Sequence, residues 1–198
     1  ATDTSVAMGF QADLSSVTVT SDLDQTGTAS RLQEAVDVTG SGALIFVEAG
    51  SFAGDTAVTH SCAITGAGMG STIIAPAATD DHTCSTFGGN AHHGFLVQSS
   101  DVVISQLTVD GDNNSFGFGG PGALNFRQGV VIDFNAGTFD NVMSDHVEVR
   151  NIFRRGFYYF GGTGHVIASC SAIDCGATAC PGHGYGVIFL DGDGNEAT

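Results

Sequence analysis

The residues best suited to chemistry lie in one short stretch, VEVRNIFRRGFYYF at residues 147–160. The chain has no lysine and five arginines against 21 acidic residues, yet three of the arginines fall here beside four aromatic residues. The side chains of most interest are Arg150, Arg154, Arg155, Tyr158 and Tyr159. Guanidinium groups bind carboxylates in a paired geometry, and a tyrosine ring offers a flat face to a sugar. Arg150, Tyr158 and Tyr159 are therefore candidate ligand-binding residues for a polysaccharide.

Two aspartate-rich loops are candidate metal sites. Both show the pattern D-x-D-x-N, in which alternate oxygens can converge on one hard cation such as Ca²⁺. The candidate ligands are Asp110, Asp112 and Asn114 in the first loop, and Asp191, Asp193 and Asn195 in the second. An Asp/Gly turn that leaves a strand is the structural alternative. The sequence therefore indicates Ca²⁺ as a candidate ligand and leaves both interpretations open.

The five cysteines favour disulfides over a zinc site. None of them has the C-x-x-C spacing of a zinc ligand pair, and disulfides form in oxidising compartments. Cys62 with Cys84 and Cys175 with Cys180 are candidate pairs, which leaves Cys170 over. Pairing of Cys170 with Cys175 or Cys180 is an alternative, because connectivity does not follow from sequence.

Charge and composition restrict the class of partner. With 198 residues, of which 42% are hydrophobic, the chain is long enough for one domain with a core. Its formal net charge of −16 repels nucleic-acid phosphates and anionic membranes. No apolar run reaches the roughly 18 residues of a transmembrane helix. We therefore expect no nucleic-acid partner and no membrane insertion. The absence of lysine, the abundant aspartate and the cysteines favour an extracellular or cell-surface protein.

The sequence predicts that these residues are positioned by short β-strands that repeat along the chain. Three segments share Val at the second position and an aliphatic residue or Ala at the fourth, which is strand alternation. They are DVVISQLTVDG from Asp101, HVEVRNIFRRG from His146 and HVIASCSAIDCG from His165. A short apolar strand that follows a glycine precedes each repeat, and the last two intervals are about 28 residues. The 29 glycines are scattered between apolar runs, which indicates many tight turns.

Strand, turn and strand repeated at this period resemble the right-handed parallel β-helix superfamily, which includes pectate lyases, polygalacturonases and many surface proteins. SRLQEAVDVTGSGALIFVEAGSF and the following CAITGAGMGSTIIAP resemble the start of those domains. The resemblance covers about residues 28–192. It implies an all-β fold, a single-stranded right-handed parallel β-helix (β-solenoid), with a short N-terminal capping helix at about 31–37.

The resemblance also divides the chain. Residues 28–198 are expected to form the β-helix, with an incomplete last coil. Residues 1–27 are expected to form an N-terminal arm, as an added or exchanged strand. An open terminal coil exposes unpaired backbone groups over apolar side chains, so another subunit stacked on it would stabilise it.

The arginines also have a structural interpretation. When the three repeats are stacked, Asp110, Arg155 and Asp174 share one offset. Strands lie about 5 Å apart, so an arginine between two aspartates would neutralise a column of like charge. Charge compensation and ligand binding both stay open for the cluster.

The family's enzymatic motifs are mostly missing. Gly182-His183-Gly184 matches one polygalacturonase motif, but that family's other motifs are not found at the matching spacing. Pectate lyases use a basic side chain to remove a proton while Ca²⁺ neutralises the carboxylate. By that resemblance Arg150, Arg154 and Arg155 are candidate bases, and Asp133, Asp140 and Asp145 are candidate calcium ligands. Because the spacing selects none of them, we assign no catalytic residue and favour a protein that is not an enzyme.

The sequence therefore predicts a secreted, non-enzymatic structural protein. Its copies are expected to stack end to end as a homo-oligomer or polymer, forming an extracellular fibre or surface assembly. The alternative is a polysaccharide-binding or polysaccharide-cleaving, lyase-like domain of a longer secreted protein. Fold analogy alone does not decide between them.

Overall fold

A computed structural model describes residues 14–21, 30–77, 91–111, 124–176, 184–190 and 194–198. These residues form one helix, α1 (Arg31–Val38), and short strands. The strands are β1 (Leu14–Val19), β2 (Thr39–Val47), β3 (Gly50–Ala53), β4 (Thr56–Val58), β5 (Cys62–Gly66), β6 (Thr72–Ala75), β7 (His93–Val97), β8 (Val103–Asp110), β9 (Gln128–Ile132), β10 (Met143–Arg150), β11 (Arg155–Phe160), β12 (Val166–Ala168), β13 (Ser171–Ile173), β14 (Tyr185–Leu190) and β15 (Glu196–Ala197). In this part of the chain no helix has the length and apolar character needed to cross a membrane.

The strands form two parallel sheets. The large sheet follows the order β1-β2-β5-β8-β10-β12-β15; in addition β13 pairs with β10, and β6 joins β3 to β8. The small sheet has the order β14-β11-β9-β7-β4. Two neighbouring strands of a parallel sheet need a crossover connection between them. Here the chain makes these connections by passing repeatedly from one sheet to the other.

This topology corrects the predicted fold. The structure is rich in β-strands with parallel pairing, but it has two separate sheets, and no solenoid is detected in the described residues. The prediction of a single-stranded right-handed parallel β-helix was therefore wrong. Val103 pairs with Met143, 40 residues later, whereas Met143 pairs with Val166, 23 residues later. Because the spacing between paired residues changes so much, a regular period of about 28 residues does not describe the chain.

The observed register also changes the partner of Asp110. Arg150, and not Arg155, lies opposite Asp110, and the neighbour of Arg150 on its other side is Ile173. The predicted column of Asp110, Arg155 and Asp174 is therefore absent. Alternating apolar residues repeat along a single strand, so a match in alternation does not specify which residues pair.

The described part of the N-terminal segment belongs to the large sheet. β1 pairs in parallel with β2, with Val17 opposite Ile45 and Val19 opposite Val47. Val19 is buried in the core. Residues 1–13 and 22–27 of the expected arm lie outside the described residues.

Helix α1 covers the segment for which the sequence predicts a helix. The Ser30 hydroxyl accepts a hydrogen bond from the Gln33 backbone N–H at 3.1 Å, which caps the first turn. Leu32, Ala35 and Val36 are fully buried, so one face of the helix packs on the core. Gln33 and Asp37 lie outside this apolar face, and their side chains share a hydrogen bond of 2.8 Å.

A column of glycines brings the two sheets into close contact. Gly94, Gly129, Gly156 and Gly186 occupy equivalent positions in β7, β9, β11 and β14, one residue before paired residues of the small sheet. A Cβ atom on Gly94 would meet a Val109 methyl group of the large sheet, and one on Gly129 would meet a methyl group of Val149. These glycines, which lie inside the strands, therefore have a packing role.

Candidate functional site

The structure brings three arginines together at the N-terminal ends of two neighbouring strands of the small sheet, β9 and β11. We call Arg127, Arg154, Arg155, His92 and His93 the basic cluster. The Arg127 backbone N–H donates to the His92 carbonyl oxygen at 2.8 Å, and that of Arg154 donates to the Arg127 carbonyl oxygen at 3.0 Å. Residues from three separate segments thus lie side by side where the neighbouring strands β7, β9 and β11 begin. The cluster holds three of the chain's five arginines.

Most of the cluster is buried, and burial lowers the pKa values of His93, Arg154 and Arg155. The side chains of Arg127, Arg154, Arg155 and His93 are all buried. Burial, followed by the charges of Arg155 and Arg127, lowers the pKa of Arg154 to about 10. Burial lowers the pKa of His93 to about 3, with Arg127 and His92 acting in the same direction. At neutral pH Arg154 therefore stays charged, while His93 is neutral.

The two tyrosines lie on opposite faces of β11. Tyr159 belongs to the hydrophobic core, where its hydroxyl lies 2.7 Å from that of Ser144. Burial raises the pKa of Tyr159 well above its usual range. Tyr158 lies outside this core and is also buried, and the Arg155 guanidinium carbon is 4.1 Å from its ring centroid. The phenyl ring of Phe134 packs edge-on against Tyr158. Arg155 and Tyr158 thus form an internal cation–π pair.

Arg150 lies apart from the basic cluster, in the large sheet. Its Nε donates to Asp110 at 2.8 Å, and its Nη1 donates to Glu148 at 3.1 Å. The hydrogen bond to Asp110 contributes most to the raised pKa of Arg150. The candidate ligand set Arg150, Tyr158 and Tyr159 is therefore spread over three places: the large sheet, the outer side of β11 and the core.

The described members of the two predicted calcium loops are held by protein groups. The carboxylate of Asp110 accepts from Arg150 and, at 2.8 Å, from the side-chain amide of Asn151. The Asn195 side-chain oxygen accepts from the His165 backbone N–H at 2.9 Å. The remaining candidates, Asp112, Asn114, Asp191 and Asp193, lie outside the described residues. Calcium binding at these loops stays a prediction.

The three aspartates that are candidate calcium ligands of a lyase form hydrogen bonds with three different partners. Asp133 accepts from the Gln98 amide at 2.7 Å, Asp140 from the Thr163 backbone N–H at 2.8 Å, and Asp145 shares a 2.8 Å hydrogen bond with His146. In the described ranges no group of three or more His, Cys, Asp or Glu side chains is placed to hold a metal ion. The structure thus selects no calcium ligand set for the candidate bases Arg150, Arg154 and Arg155.

The described cysteines are thiols. Cys62, Cys170 and Cys175 are free, whereas Cys84 and Cys180, their candidate partners, lie outside the described residues. Burial raises the pKa values of Cys62 and Cys175 to about 11. Both are therefore protonated and weakly nucleophilic at neutral pH.

A second candidate region is apolar and exposed. Ile173 and Tyr185 are each 45% exposed and Val187 is 42% exposed. β13 contacts β14, and we call these three residues the β13–β14 surface. Among the described strands β14 is the last in its sheet and pairs with β11 alone.

Sequence reasoning missed Arg127 and His93. A signal was present, because three of the four column glycines follow a pair of polar or basic residues. The pairs are His92-His93, Arg127-Gln128 and Arg154-Arg155, before Gly94, Gly129 and Gly156. Aligning the chain on these glycines would have placed the three pairs side by side.

The basic cluster and the β13–β14 surface have different chemical capacities. The first can hold a carboxylate or similar anion by charge-assisted hydrogen bonds, once it is accessible. The second can bury apolar area against another chain. No protein-family model, curated protein or solved structure matches this chain. Its function is therefore inferred from the contacts, burial and charges of these two regions.

Proposed function

We propose that this chain is a non-enzymatic, extracellular structural protein that associates with copies of itself through the β13–β14 surface. The observation that carries the proposal is the exposure of Ile173, Tyr185 and Val187 on the contacting strands β13 and β14. Exposed apolar side chains that lie together favour association with another chain, because association removes their apolar area from water.

The internal contacts of the arginines and tyrosines that the sequence offered as ligand-binding or catalytic candidates support a structural role. Arg155 stacks on Tyr158, Arg150 pairs with Asp110 and Glu148, and Tyr159 bonds with Ser144 inside the core. These groups stabilise the fold through internal contacts. The acidic composition favours an extracellular setting, and Ca²⁺ is proposed as a ligand that would reduce repulsion between acidic copies.

We expect Val187→Asp to weaken self-association by about tenfold or more, because a charge at an apolar surface has to be desolvated on association. Sedimentation velocity over a range of concentrations measures this effect, with Ca²⁺ present and with a chelator. Leu44→Asp is the matched control, since Leu44 is 47% exposed and lies on β2 of the other sheet. A wild-type chain that stays monomeric at the highest concentration, with or without Ca²⁺, would contradict the proposal. An equal loss in the Leu44 variant would place the contact elsewhere.

A second candidate is a domain that binds or cleaves an acidic polysaccharide. The observation in its favour is the convergence of three of the five arginines at the start of the small sheet. Such a site would work against the negative field of the whole protein, and its buried arginines would have to become accessible.

Calorimetric titration with a polyuronate distinguishes this candidate from the first. Binding that falls about tenfold or more in Arg154→Gln, and is kept in Arg31→Gln, would favour the basic cluster as the site. Arg31 is a suitable control because it lies at the start of α1 and bonds the carbonyl oxygens of Thr20 and Ser21. Release of unsaturated sugar ends, lost in the Arg154 variant, would establish a lyase. Absence of binding would leave self-association as the better account.

A further inference from the structure

We infer that Gln33 acts as a substitute for a neighbouring strand: its side-chain amide closes the edge of β4 and prevents that edge from adding a further strand. This role is independent of the proposed self-association. Among the described strands β4 is the last of the small sheet, and it pairs with β7 on one side. The backbone groups on its other side are the kind that a strand of another chain recognises.

The Gln33 amide bonds both backbone groups of Ala57, the middle residue of β4. The Ala57 N–H donates to the Gln33 side-chain oxygen at 2.8 Å, and the Ala57 carbonyl oxygen accepts from the Gln33 side-chain nitrogen at 3.3 Å. Asparagine and glutamine side chains carry a carbonyl acceptor and N–H donors together, as a peptide group does. Ala57 therefore receives from one side chain the two hydrogen bonds that an added strand would give it.

The position of the amide is fixed by the helix that carries it. Asp37 accepts a 2.8 Å hydrogen bond from the same Gln33 nitrogen, which orients the amide toward β4. Leu32 and Val36 are fully buried and hold α1 against the core. A strand that approached Ala57 from this side would have to displace the Gln33 side chain first.

The local sequence shows that this use of Gln33 is not the one its position favours. Ser30 and Gln33 match the capping-box pattern, in which the later side chain reaches back to the backbone N–H of the capping residue. The Ser30 half is formed, since its hydroxyl accepts from the Gln33 backbone N–H at 3.1 Å. The Gln33 side chain instead bonds Ala57, which lies 24 residues later in the chain. It thus joins the helix to the sheet edge.

Hydrogen exchange of single amides tests the closure. Gln33→Ala keeps a good helix former in α1 and removes both hydrogen bonds to Ala57. We expect exchange of the Ala57 N–H, followed by NMR, to become about tenfold or more faster. The Gln98 N–H is the internal control, because it donates to the Val58 carbonyl oxygen on the β7 side of β4, and its rate is expected to stay the same. Asp37→Ala removes only the bond that orients the amide, so a smaller increase at Ala57 is expected.

Sedimentation velocity tests whether the closure blocks strand addition. Gln33→Ala is compared with its parent in a Val187→Asp background, so that the contact proposed at the β13–β14 surface does not contribute. We expect Gln33→Ala to strengthen association between copies by about tenfold or more, because it leaves the β4 edge available for pairing. Thermal unfolding checks that each variant is folded.

Three results would each overturn the inference. They are an unchanged exchange rate at Ala57, an equal increase at Gln98, which would mean that β4 loosens as a whole, and no gain in association. Since the compared variants differ only at residue 33, none of these results depends on whether the wild-type chain self-associates.

Discussion

Gly129→Ala is expected to lower the free energy of unfolding by about 3 kcal/mol, because it forces a methyl group into a close contact between the two sheets. The new Cβ would lie 2.6 Å from the Gly156 carbonyl oxygen and in closer conflict with a Val149 methyl group. The Gly156 oxygen is backbone and Val149 is fully buried, so neither can move without disturbing a strand.

Urea unfolding measures this effect, and Gly186→Ala is the matched control. Gly186 belongs to the same column, but among the described residues its added methyl group would approach only the Ala172 Cβ within 4 Å, at 3.1 Å. We expect the control to cost clearly less than Gly129→Ala. Similar small losses in both variants would show that the sheets can separate easily at this column.

Acid is expected to destabilise the protein through His93, by as much as ~4 kcal/mol between neutral pH and pH 3. Burial, with the charges of Arg127 and His92, lowers the pKa of His93 in the folded chain from 6.5 to about 3. Between these two values the unfolded chain binds a proton that the folded chain does not. Stability from the neutral imidazole is therefore complete above pH 6.5 and is lost as the pH falls toward 3.

The free energy of urea unfolding at pH 7, 5 and 4 tests this prediction. Carboxylates also contribute to acid unfolding, so the useful quantity is the difference between the wild-type chain and His93→Gln. We expect the variant to lose less stability over this range. His146→Gln is the control, because His146 is exposed beside Asp145. Identical pH dependence in wild type and His93→Gln would exclude His93 as the source.

Local patterns in the sequence predicted much of the secondary structure. Alternating apolar residues mark β8 and β10, and the glycine-led runs mark β7, β9 and β11. The helix follows Ser30, a residue type that caps first turns. These features could be read because alternation and capping depend on residues that are close in the chain.

The pairing of strands could not be read in the same way. The sequence repeats placed Arg155 opposite Asp110, whereas the structure places Arg150 there. Alternation has a period of two residues, so several registers satisfy it equally well. The resemblance to β-helix proteins failed for a related reason, because it assumed a constant interval between paired residues.

The candidate sites depended even more on tertiary structure. Arg127 joins Arg154 only because β9 and β11 are neighbours, and Gln33 meets Ala57 only because α1 packs across the end of the small sheet. Burial is a further case, since Tyr158 lies outside the hydrophobic core and is nevertheless buried.

The sequence by itself determined the acidic charge, the predominance of short strands and the glycines that separate them, because composition and local alternation act within a few residues. Only the tertiary structure decided the two-sheet topology, the register and the buried basic cluster. Those features arise from packing between segments that are far apart in the chain, and the free energy of that packing has no local signature.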